Sequence, residues 1–222
     1  MCELDHIFVN TSVGAPEAAH LIELGLTEGE PNTHPGQGTA DRRFFFHNAM
    51  LELLWVADAE EVKSDSIRQT RLWDRWKHPS HGACPFGICF RSEDPLKACV
   101  PFPSWEYRPP YLPSPLAINV VTNVDTLTEP MLFYLSFASR PDRAVSSTRQ
   151  PLRHSAGWRE ITRVRWVRPS AEALSPELRA VVEAGALGVT QGDSHQLEIG
   201  FDAEVRGQRA DLRPHLPLVL SW

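Results

Sequence analysis

Two residues stand out for chemistry because their types are at odds with their surroundings. Alternation along residues 51–57 puts Glu52, Leu54 and Val56 on one face of a strand and Leu51, Leu53 and Trp55 on the other. Both faces are otherwise apolar, so the strand reads as buried on both sides and the carboxylate needs a compensating partner. A metal ion would serve. So would Arg42 or Arg43 on the preceding strand, which would make Glu52 half of a buried ion pair with no catalytic part. His6 shares a face with Leu4 and Phe8. It is either a satisfied core histidine or, set beside Glu52, a ligand or a pocket base. Two such donors with water would hold an exchangeable metal, since a stable catalytic zinc usually takes three protein ligands.

Other candidates lie in polar loops. His34-Pro35-Gly36-Gln37-Gly38-Thr39 runs on to Asp41 and Arg42. Gly36 and Gly38 permit close backbone approach, and His34, Thr39, Asp41 and Arg42 could read a ligand's polar groups; the plain alternative is a solvent turn. It is not a P-loop, because it lacks the GKS/T ending. His78-Pro79-Ser80-His81 could lend His81 to a metal or be bare surface. Trp105 and Tyr107, with Tyr111, interleave with prolines and could line a pocket or cap its end. No GxSxG elbow occurs, and Cys84 has no obvious positive neighbour to lower its pKa, although His81 is near in sequence.

Composition narrows the classes. The 222 residues are 42% hydrophobic and 23% charged, as in ordinary globular proteins. A net charge of -6 offers no general attraction to nucleic acid. Arg149, Arg153, Arg159, Arg163, Arg165 and Arg168 alternate with apolar residues, as on the solvated face of a strand. No apolar run approaches the roughly 18 residues a membrane span needs. The acidic opening does not resemble a signal peptide, and Cys2, Cys84, Cys89 and Cys99 form no CxxC pair. A cytoplasmic protein with reduced thiols is expected, bound to neither nucleic acid nor membrane.

The elements that must position these residues follow from pattern and breakers. Residues 4–9 read as a strand and 15–24 as a helix with Pro16 in its first turn and Gly25 as its stop. Strands 42–46 and 51–57 form a hairpin, and 59–80 a charged, helical connector. A second strand-rich block takes in 86–91, 116–121 and 131–137, interrupted by the proline-rich 101–115. Residues 139–155 read as a linker. A third block follows, with strand 161–167, an amphipathic helix over 176–186, and strands 197–201 and 218–222.

Two stretches together resemble the opening module of the glyoxalase, or vicinal oxygen chelate, superfamily. They are Leu4-Asp5-His6-Ile7-Phe8-Val9 followed at once by a helix, and His34 to Arg42 leading into Phe44-Phe45-Phe46 and Leu51-Glu52-Leu53-Leu54. The second block is more loosely similar through Gly87-Ile88-Cys89-Phe90-Arg91 and Glu129-Pro130-Met131-Leu132-Phe133. The resemblance implies an α+β fold of paired βαβββ modules curving around a pocket, about residues 4–58 and 83–138 within a unit 1–138, with a C-terminal βαββ half-module over 156–222. It implies a divalent metal, such as zinc, nickel, manganese or iron, with His6 and Glu52 at the first module's ligand positions. The second module departs from the pattern. It offers Cys84, Pro85 or Phe86 where a histidine belongs, and Phe133, Tyr134 or Leu135 where a glutamate does. Water, His81, Cys84 or Tyr134 would have to complete the site.

Two functions from different classes follow. One is a metal-dependent lyase, isomerase or dioxygenase acting on a substrate with vicinal oxygens, with His6 and Glu52 catalytic. Its substrate would be contacted by His34, Thr39, Asp41, Arg42, Trp105, Tyr107 and Tyr134. The other is a metal-free protein that sequesters an aromatic or drug-like molecule. A structural module is a third, weaker reading. The partner is a small molecule, and the chain a monomer or homodimer.

Overall fold

The computed structural model describes residues 2–77, 82–94 and 99–222. The chain opens with β1 (Cys2–Asn10) and α1 (Ala18–Glu23), then β2 (Asn32–His34), β3 (Thr39–Phe45) and β4 (Met50–Val56). The connector is broken into α2 (Ala59–Val62), a 3-10 turn and α3 (Leu72–Lys77), because Arg71 takes up a left-handed conformation between the last two. There follow β5 (Phe86–Ser92), β6 (Ser104–Tyr107), β7 (Ile118–Val121) and β8 (Met131–Leu135). The third block holds β9 (Ile161–Arg168), α4 (Pro176–Glu183), β10 (Gly188–Gln191), β11 (Gln196–Phe201), β12 (Arg209–Asp211) and β13 (Leu218–Ser221).

The first eight strands form one sheet in the order β2-β3-β4-β1-β5-β8-β7-β6, strongly curled into a half-barrel. Strand β1 pairs parallel with β4, and β5 parallel with β8, while β1 and β5 meet antiparallel at the centre. Two like halves therefore join across one seam. The seam closes because Gly87 has no side chain: a Cβ there would sit 2.0 Å from the Phe8 ring. Every residue of β5 is buried, as its continuous apolar run requires. Between β5 and β6 of the second half, residues 95–98 lie outside the described residues, and the helix expected of that module falls there.

The remaining strands form a second sheet, β10-β9-β11-β13-β12. On β9 the apolar residues turn inward, while Arg163 and Arg165 pair with Glu198 on the outer face of β11. The solvated-face reading of the arginine run thus fits Arg163 and Arg165; Arg168 is buried over the Trp166 ring, and Arg149, Arg153 and Arg159 lie outside the strand. The C-terminal block has more strands than the half-module expected. Both sheets feed one apolar core, in which Phe46 meets Phe201 at 4.9 Å between ring centroids and Trp158 stacks on Phe201 at 4.7 Å. Residues 139–155 contain no strand, yet they are tied down. His154 Nδ1 accepts from the Thr27 N–H at 3.0 Å, and its Nε2 donates to the Phe45 carbonyl at 2.9 Å. No described helix is long and apolar enough to cross a membrane.

Candidate functional site

The curl of the large sheet encloses a cavity of about 380 Å³. Strand alternation decides what faces it. Strand β1 presents His6 and Phe8, β4 presents Met50, Glu52 and Leu54, and β8 presents Met131, Phe133 and Leu135. Tyr107 of β6 and Tyr111 of the proline-rich arm close it from the second half. The walls are apolar, and polar groups gather at one end, all from the first half or the seam.

At that end His6 Nε2 lies 3.8 Å from Glu52 Oε2. The other imidazole nitrogen, Nδ1, is 2.6 Å from Asp5 Oδ1. Burial works against the Asp5 charge, but the hydrogen bond and charge of His6, with Arg91, hold its carboxyl below the usual range. Asp5 is thus an ionised acceptor for the proton on Nδ1, and Nε2 is turned toward Glu52 at the cavity. Arg91 is itself buried, bonded to Asp5 at 3.1 Å and to Glu3 at 2.7 Å.

Glu52 behaves differently. Burial, then the neighbouring Asp41 charge and its hydrogen bond, push the Glu52 carboxyl well above the carboxylate range, against a smaller opposing pull from Arg43. Asp41 is wholly buried; its Oδ1 accepts from the Asn32 N–H at 3.1 Å and lies 3.4 Å from Arg43 Nε. Its Oδ2 accepts no hydrogen bond and lies 3.6 Å from His34 Nε2. His34 completes the group. Its Nδ1 is 2.9 Å from Thr39 Oγ1 and its Nε2 3.1 Å from Asn32 Nδ2, and burial lowers its affinity for a proton. Thr39 also accepts from Gln37, whose Oε1 accepts from the Tyr107 hydroxyl at 2.8 Å. Tyr111 lies over His34 with ring centroids 4.7 Å apart.

The structure thus brings His6, Glu52, His34, Asp41, Thr39 and Tyr107 together and separates the other candidates from them. Arg42 points away, its guanidinium bound to Glu28 and the Ala15 carbonyl. Arg43, directly opposite Glu52 in the sheet register, faces the cavity in its place. Tyr134 is buried on the other side of β8, because Phe133 takes the cavity face. Trp105 packs edge-on against Tyr107 at 5.8 Å but lies outside the cavity lining. Cys84 precedes β5, away from the cavity, with its thiol pushed up to about 12 by burial. His81 lies outside the described residues.

Sequence reading missed Asp5 and Cys89, and it left Arg42 and Arg43 open as the partner of Glu52. Alternation puts Asp5 opposite His6, but a bulge between Leu4 and His6 brings both to the polar end. The same register sets Cys89, not Cys84, across from His6.

Two groups of three bring possible metal-binding atoms within 4.8 Å of one another: Asp5, His6 and Cys89, and His34, Asp41 and Glu52. The metal implied by the resemblance draws donors from both halves, and these residues do not fit it. On the second half the facing positions hold Phe133, whose ring lies edge-on to His6 with centroids 5.2 Å apart, and Cys89, whose thiol burial holds well above its usual range. A phenyl ring cannot ligate, and a thiol must ionise to do so. In the other group both His34 nitrogens have partners, and the Arg43 cation already sits beside Asp41.

No protein-family model matches the sequence, and no significant match is found among curated proteins. The fold recurs among solved structures. A hypothetical protein from Staphylococcus aureus, 10% identical, is similar over 100% of this chain and 99% of its own, with a TM-score of 0.50. Both sheets are covered by that likeness. Methylmalonyl-CoA epimerase from Mycobacterium tuberculosis aligns over 60% of this chain and 86% of its own, with 13% identity and a TM-score of 0.36. A hypothetical protein from Bacillus halodurans aligns over 60% and 93%, with 12% identity and a TM-score of 0.38.

Proposed function

We propose that the cavity binds a small carbonyl compound with vicinal oxygens and moves a proton on it without a metal, which is isomerase or lyase chemistry. One observation carries the reading: the free Nε2 of His6 and the Glu52 carboxyl lie 3.8 Å apart at the polar end of an apolar cavity. In that arrangement His6 Nε2 takes the proton from the carbon next to the carbonyl. The C–H electron pair becomes the C=C of an enol, and the carbonyl oxygen takes the proton from Glu52. His6 becomes an imidazolium beside the Asp5 carboxylate, and Glu52 a carboxylate beside Arg43. Return of the proton to either face, or departure of a β-group, completes the turnover.

A second reading, sequestration of an aromatic molecule, is favoured by the ring of Phe133 standing where a donor would be. Deuterium exchange separates the two. A panel of 1,2-diketones and α-hydroxyketones is incubated with the protein in D2O and followed by NMR. Faster exchange than in buffer, lost in His6→Gln and Glu52→Gln while binding persists, is expected. Binding without exchange supports sequestration instead. Exchange that disappears with chelator and returns with zinc, nickel, manganese or iron refutes the metal-free chemistry.

A further inference from the structure

The charges at the polar end are not balanced in favour of an anion. We infer that the site admits an uncharged carbonyl compound with an aryl or alkyl body, and that Asp41 is the residue that excludes its carboxylate-bearing counterparts. The inference rests on the cavity being the substrate site proposed above, and it names what enters.

An anionic head group needs a free cation where it lands. Among the described residues, each arginine near the polar end already has a carboxylate. Arg91 is spent on Glu3 and Asp5, with a further bond to the Asn48 carbonyl at 2.7 Å. Arg43 donates to the Glu30 carbonyl at 2.9 Å and lies 3.4 Å from Asp41 Oδ1. Arg42 is bound to Glu28 away from the cavity. Of the histidines, burial works against a charge on His34, and His6 is already matched by the Asp5 carboxylate at 2.6 Å. Against these stand the Asp5 and Asp41 carboxylates, so an incoming carboxylate would be buried beside acids with no free counter-charge. A neutral carbonyl needs only one donor, which Glu52 supplies. Phe8, Leu54, Val120, Phe133 and Tyr111 offer an apolar body nothing but hydrocarbon and ring faces.

Asp41 is the residue on which the exclusion turns. It is wholly buried and held by the Asn32 N–H, and it is the only carboxylate partner within 4 Å of Arg43 among the described residues. Replacing it with asparagine keeps the shape and leaves Arg43 free to meet an anion.

The test uses two ligands with the same ring and vicinal oxygens, 1-phenyl-1,2-propanedione and phenylpyruvate, titrated into the full chain at pH 7 by calorimetry. The dione is expected to bind at least tenfold more tightly. In Asp41→Asn most of that preference should vanish through tighter phenylpyruvate binding. In Arg43→Gln, which removes the cation without adding one, the preference for the dione should persist. Phenylpyruvate binding as tightly as the dione to the wild type overturns the inference, as does binding of neither at millimolar concentration. Phenylpyruvate affinity that falls in Arg43→Gln also overturns it, because Arg43 would then be receiving the anion. Dione binding without methyl-proton exchange in D2O refutes the proton-transfer chemistry and leaves the ligand class standing.

Discussion

Replacing Glu52 with glutamine should change how stability depends on pH far more than it changes stability itself at low pH. Burial and the neighbouring Asp41 charge raise the native pKa of Glu52 well above the ordinary value. A raised native pKa means that the folded state keeps a proton the unfolded chain releases. That contribution is complete below the unfolded carboxyl pKa of roughly 4.3 and is lost as pH rises toward the native value. Glutamine cannot ionise, but its amide can donate to Asp41 Oδ2 in the same direction. At pH 5 the two proteins should therefore differ by less than about 1 kcal/mol. From there the wild type should lose stability relative to the variant as pH rises toward the native value, by up to about 1.4 kcal/mol for each pH unit. Urea unfolding at pH 5, 6 and 7, followed by tryptophan fluorescence, measures this directly, since Trp158 and Trp166 are buried in the core. Taking the difference cancels titrations common to both chains, His154 among them. A pH-independent difference would refute the raised Glu52 pKa. A variant several kcal/mol less stable at every pH would restore the ion-pair reading of Glu52.

Three further perturbations test other parts of the site. Asp5→Asn removes one carboxylate charge from the buried Arg91 and leaves His6 Nδ1 only a neutral acceptor; a loss of about 3 kcal/mol is expected in urea unfolding, and no loss would mean that Glu3 alone satisfies Arg91. Gly87→Ala drives a methyl group into the Phe8 ring at the central seam, so a destabilisation of about 1–3 kcal/mol should appear in the same assay. Phe133→His sets a nitrogen donor beside His6 and Glu52, where the wild type has a ring. Zinc should raise the thermal midpoint of that variant and not of the wild type; a zinc shift in the wild type would show that the first half holds metal unaided.

Much of this arrangement was legible in the residues. The pairing of His6 with Glu52 followed from alternation and from the module order that the resemblance supplied, and the structure sets them at one cavity. Alternation also has a blind spot, which is register. It could not tell Arg42 from Arg43 without knowing which face of β3 is wet, and it could not see the bulge that brings Asp5 round to His6. The choice of Cys84 over Cys89 failed for the same reason, since only the pairing across β1 and β5 shows which residue lies opposite His6. The closeness of Asp41 and Glu52 was hidden because strand patterns give faces and not distances. The proline-rich stretch reads as a loop or extended arm, and Ser104–Tyr107 of it pairs into the sheet as β6; whether it lined or capped was a question of reach. It does both: Tyr107 and Tyr111 line the cavity, while Pro110 packs on Gly36 so closely that a Cβ there would lie 2.7 Å away.

The antiparallel meeting of β1 and β5 makes the two halves near-equivalents in shape, yet they belong to one covalent chain. In a pair of identical subunits every substitution would appear on both sides of the seam, and a ring gained on one side would mean a histidine or carboxylate lost on the other. Fusion removes that constraint. One half can keep every ionisable group while its counterpart drifts to Cys89 and Phe133, so the cavity acquires a direction. A ligand entering it meets hydrocarbon at one end and proton-bearing groups at the other, and has only one way round to bind.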